Sequence, residues 1–125
     1  MSESARRLAT WEDLLATPED GRVWEVLNGQ LEAQPPRWPV HGYALAGLAG
    51  ELAPVFDRNH SSRDGWWIVP CSDIRFGPHD IVAPDCIGWR RARLPQLPAT
   101  RPVDVVPDWV CEVVSPNGMG RDRVR

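Results

Sequence analysis

Asn28-Gly29 stands between two β-prone runs, RVWEVL and QLEAQ, and this dipeptide constrains the fold more than any other feature of the chain. Both central residues of a tight hairpin turn need positive φ, which Asn and Gly tolerate at the least cost. Strands are therefore expected at about 22–27 and 30–34. Upstream, TWEDLLATPEDG places Thr10 as a helix cap and Asp13 at the spacing of a capping box, with Pro18 blocking extension. A short helix precedes the hairpin.

The prolines of QPPRWPV interrupt the chain. After them Leu45, Leu48, Leu52 and Phe56 recur at helical spacing. Gly42, Gly47 and Gly50 lower the helix propensity of this segment. It is therefore expected to be held by packing against a sheet, with Pro54 near a kink or its end. WWIVPC, SDIRF, IVAPDCIGW and DWVCEVV follow as strand-like runs separated by Gly, Pro and Asp. RRARLPQLPATRPVD reads as a loop with at most one helical turn. This order of elements predicts an α+β fold with a helix packed on the sheet. In SPNGMGRDRVR, turn formers lead into charged residues that begin a helix. A sheet closing on WVCEVV needs a covering element, so the chain is expected to lack its last helix and strands.

A length of 125 residues suits one domain with a single core. Hydrophobic residues at 42% and charged residues at 25% exclude a disordered or fibrous class. A net charge of −3 argues against permanent residence on nucleic acid, which usually demands a basic excess. All 14 positive side chains are arginine, so guanidinium groups alone are left for phosphate contacts and the commonest catalytic amine is missing. Cys71, Cys86 and Cys111 form no CxxC pair and are expected to be buried thiols. No segment has the apolar core of a signal peptide or the length of a membrane span, which predicts a cytoplasmic protein.

Three carboxylates fall on these apolar runs: Glu25 in RVWEVL, Asp85 in DIVAPDCIGW and Glu112 in WVCEVVSP. An ionised carboxylate on a buried segment costs several kcal/mol unless a cation or hydrogen-bond donors compensate it. One hard divalent cation shared by Asp85 and Glu112 would do so, since Mg²⁺ takes one or two protein carboxylates and leaves the remaining positions to water and phosphate. The plainer alternatives are an Asp that starts a turn after Pro84 and glutamates on wet strand faces. His60 and His79 lack a second ligand at metal-binding spacing and read as surface or loop residues. Trp66, Trp67, Trp89 and Trp109 are expected mainly in the core.

WEDLLATPEDGRVWEVLNGQL, the helix with His41 near its start, VAPDCIGW and PDWVCEVVSP, in that order, resemble the Uma-type restriction endonuclease family, a bacterial branch of the PD-(D/E)XK nuclease superfamily. The resemblance runs over nearly the whole chain. It implies a restriction-endonuclease-like mixed β-sheet with flanking helices, residues 1–125 forming a single, incomplete nuclease-like domain. It implies a DNA endonuclease in which Asp85 and Glu112 hold Mg²⁺ or Mn²⁺ and Glu25 is an auxiliary ligand or base. His41, Arg121 and Arg123 would supply phosphate or auxiliary contacts. Cutting both strands together takes two sites, which suits a homodimer. The superfamily lysine two residues past the second acid is replaced here by Val114. A rival reading is therefore an inactive remnant that binds nucleic acid or protein through its tryptophan-rich surface.

Overall fold

A computed structural model describes residues 7–35, 37–57 and 65–114. Helix α1 is Trp11–Leu15; the Thr10 amide donates to the Asp13 carboxylate at 2.8 Å, the backward half of the expected box. Strands β1 (Trp24–Leu27) and β2 (Gln30–Ala33) form the hairpin. Asn28 and Gly29 turn it at φ 52° and 76°. A side chain at Gly29 would also collide with Leu8, whose Cδ2 lies 2.6 Å from the Cβ position.

Helix α2, Pro39–Leu52, runs on into a π-helical turn at Ala53–Asp57, the place where Pro54 was expected to disturb it. Five further strands follow: β3 Trp66–Pro70, β4 Ile74–Gly77, β5 Asp80–Val82, β6 Cys86–Arg90 and β7 Trp109–Cys111. They divide into a four-stranded sheet of order β2-β1-β5-β4 and a three-stranded sheet of order β3-β6-β7. The α+β architecture is as expected. Pairing between these strands is antiparallel, and the parallel component among the described residues is an isolated bridge between Ile74 and Val103.

The run DIVAPDCIGW is two strands rather than one. β5 belongs to the first sheet and β6 to the second, with Ala83-Pro84-Asp85 as the joint. Proline has no N–H to give to a ladder, so pairing stops there and the chain changes sheets. Ile74 of the first sheet packs with Ile87 and Trp89 of the second and with Val103, while Leu14, Val26 and Ile81 form a second cluster under α1.

Helix α2 departs from expectation. Leu45, Leu48 and Leu52 are only half-buried and His41 is its one buried residue, whereas Val40 and Tyr43 are exposed. Its ends are moored by polar contacts instead. His41 reaches Asp85 at 3.1 Å near one end. At the other, the Asp57 carboxylate pairs with the buried Arg91 guanidinium and accepts the Ile68 amide at 3.1 Å. An apolar cavity of about 160 Å³ remains where Leu52 and Phe56 face Trp66, Ile68 and Trp109. The cysteines also differ from the expectation: Cys86 is buried, but Cys111 is partly covered and Cys71 is exposed, because the chain turns away after Pro70 with φ 54° at Cys71. Trp89 is a core residue as expected, its indole N–H donating to Val105 O at 2.9 Å.

Candidate active site

Asp85 sits at the joint between the sheets and is 3% exposed. Its backbone carbonyl accepts the Cys71 amide at 3.1 Å, fixing it to the end of β3. Its side chain is held from three other directions. Oδ2 accepts the Val113 amide at 2.7 Å. Oδ1 meets His41 Nε2 at 3.1 Å and the Arg37 guanidinium at 3.2 Å. The charge that compensates the buried carboxylate is thus a guanidinium from the proline-rich link, a residue the sequence offered no reason to single out. The signal was indirect: a chain without lysine must neutralise a buried acid with arginine or histidine.

Glu112 is exposed. The β6/β7 register pairs Cys86 with Cys111, and one more step along it sets Glu112 across from Asp85. Because the Asp85 carbonyl points to β3, that position is of the non-hydrogen-bonded kind, in which facing Cα atoms approach to about 4.5 Å. Burial pushes the Cys111 thiol above its ordinary pKa, and the negative charges of Asp85 and Glu112 add to the effect. Both carboxylates therefore act on the same short stretch of sheet edge.

Glu25 is 1% exposed, which rules out the expectation of a wet strand face for this residue. Oε2 accepts the Ala83 amide at 2.8 Å and Oε1 is hydrogen-bonded by the Gln34 side-chain amide. It holds the residue two positions before Asp85, so the first sheet pins one side of the joint and the second sheet pins the other. His79, expected on the surface, is partly covered, and its Nδ1 lies 2.7 Å from Ala9 O. His60, Arg121 and Arg123 lie outside the described residues.

A cavity of about 640 Å³ opens beside the joint, with Arg37, Cys71, Ala83, Trp24, Arg22 and Arg101 in its lining. Arg22 stacks on Trp24 at 4.7 Å and Arg101 on Trp11 at 5.3 Å. Asp85 and Glu112 do not line this cavity, which reaches the joint through Arg37, Cys71 and Ala83; carboxylate oxygens are the hard donors that Mg²⁺ or Mn²⁺ takes, one or two from the protein sufficing. As they stand, no three His, Cys, Asp or Glu side chains are grouped closely enough to hold a metal among the described residues. Asp85, whose Oδ1 carries Arg37, and Glu112 are the two carboxylates that act on this stretch of sheet edge. No described helix is long and apolar enough to cross a membrane.

Two sheets joined at a buried aspartate make a fold that this chain shares with a solved structure. A solved structure described as a putative nuclease belonging to DUF820, from Anabaena variabilis ATCC 29413, superposes with a TM-score of 0.73 at 19% identity. The match covers 93% of this chain and 64% of that one. The chain belongs to the Uma2 family, described as "Putative restriction endonuclease", whose sequence profile matches residues 11–125. No curated protein matches it.

Proposed function

We propose that this chain carries the carboxylate centre of a metal-dependent DNA endonuclease, with Asp85 and Glu112 as the ligands of Mg²⁺ or Mn²⁺. The observation that carries the reading is the fixed, buried Asp85, with Glu112 one step beyond the Cys86–Cys111 pair and with Arg37 reaching from Asp85 to a cavity that Arg22 and Arg101 also line. A divalent cation bound there would orient and acidify a water and offset the charge that builds on a scissile phosphate. The chain's own residues do the positioning. The Val113 amide and His41 set the orientation of Asp85, and Glu25 assists by fixing Ala83. Arg37, which lines the cavity, offers a planar donor pair to phosphate oxygens.

The family and the fold neighbour, both described as putative nucleases, support a nucleic-acid substrate. Cleavage of both strands calls for a homodimer, and a cytoplasmic bacterial setting goes with the reading. The absence of lysine favours one competing account, in which the site binds nucleic acid without cutting it. Plasmid DNA incubated with the chain and Mg²⁺ or Mn²⁺ tests the choice: nicking by the parent that is lost in Asp85→Asn supports the enzyme. Equal nicking by parent and variant would remove Asp85 from the site.

A further inference from the structure

We propose that Arg37 is an exchangeable counter-ion. In the metal-free protein it neutralises Asp85, and when a divalent cation takes that carboxylate its guanidinium turns to a substrate phosphate in the adjoining cavity. The inference rests on the carboxylate centre proposed above and concerns what that centre does when empty and when filled.

Of the three groups on the Asp85 carboxylate, two are built in. The Val113 donor is backbone, and His41 is 8% exposed within α2. Arg37 is different, because its side chain is 29% exposed and lies in a stretch without regular structure. Its other contact among the described residues is a weak one to Cys71 Sγ at 3.6 Å. A long, partly solvated guanidinium is thus the partner of Asp85 that can move.

Electrostatics decides that it must. A guanidinium 3.2 Å from Oδ1 and a divalent cation on the same carboxylate would repel, and the buried oxygen cannot move to separate them. Expelling the guanidinium does not leave the buried carboxylate bare, since the cation that replaces it supplies the compensating charge. Arg37 also lines the cavity of about 640 Å³, so a short swing takes it from carboxylate to ligand. There its planar fork suits the paired oxygens of a phosphodiester. The other lining arginines are engaged elsewhere, Arg22 with Asp20 and Arg101 with Asp73.

The test compares the parent with Arg37→Met in two titrations: Mn²⁺ followed by calorimetry, and a fluorescein-labelled DNA oligonucleotide followed by anisotropy at saturating Mn²⁺. Arg37→Met is expected to bind Mn²⁺ about fivefold more tightly, because the competing cation is gone, and to bind the oligonucleotide about fivefold more weakly. A purely structural arginine would not produce opposite shifts. Arg37→Gln, which keeps a hydrogen bond to Asp85 but not the charge, carries the same expectation if the methionine variant does not fold. Unchanged or weaker Mn²⁺ binding by these variants, with the parent binding normally, overturns the exchange and leaves the carboxylate centre standing. Absence of Mn²⁺ binding by the parent overturns both.

Discussion

Glu25 and Asp85 are both buried carboxylates within one short stretch of the fold, yet they are stabilised in different ways. Glu25 takes hydrogen bonds from the residues that directly follow the neighbouring strands of its own sheet, the Ala83 amide after β5 and the Gln34 side chain after β2. Asp85 is gripped by the link before α2, by α2 itself and by the segment after β7. One acid is woven into a sheet, while the other gathers distant segments around itself and includes a replaceable cation among its partners. The contrast separates a carboxylate that builds the joint from one that the joint presents.

The largest effect that would sharpen this contrast is on binding and turnover. Asp85→Asn keeps an acceptor for the Val113 amide but removes the charge, so metal-dependent nicking should fall by about a hundredfold or more with the fold retained. A plasmid assay beside a circular dichroism melt checks both halves. Glu25→Leu should act in the opposite sense, on stability first. It leaves the buried Ala83 amide and the Gln34 side chain without this acceptor, at about 1–3 kcal/mol each, read as a lower midpoint in urea. If Glu25→Leu melts like the parent, the acid does not build the joint.

His41→Ala comes next, with a stability loss of about 1–2 kcal/mol and weaker mooring of α2, detectable as faster amide exchange in its first turns. The smallest effect is expected at a half-buried carboxylate near the start of the chain. Hydrogen bonds from Arg7 and the Thr10 amide hold Asp13 down at about pKa 2. Its contribution to the start of α1 is therefore complete above the ordinary carboxylate range and disappears as pH falls through about 2. Asp13→Asn should remove that acid-side dependence with little change near neutrality, as followed by amide exchange at α1.

The parts of the fold that were legible in the sequence depend on local chemistry. Asn28-Gly29 announces a hairpin because the required φ values are local, and Thr10 with Asp13 announces a helix start for the same reason. The family resemblance carried Asp85 and Glu112, and the β6/β7 register, which ends at Cys86 opposite Cys111, leaves them at the end of that pairing. The change of sheet at Pro84 was hidden, because a proline inside an apolar run marks a break without saying where the next strand goes. Arg37 was hidden too, since its tie to Asp85 spans distant segments and leaves no periodic trace. Helix α2 misled for a related reason: leucines at helical spacing promise packing, whereas Asp85 and Arg91 hold it by its ends.

The most direct measurement is a calorimetric Mn²⁺ titration of the parent, Asp85→Asn and Glu112→Gln, which needs no turnover and so does not depend on a lysine. The account predicts a binding isotherm for the parent that both substitutions abolish. Variants that bind as tightly as the parent, or a folded parent that binds no Mn²⁺, would contradict it.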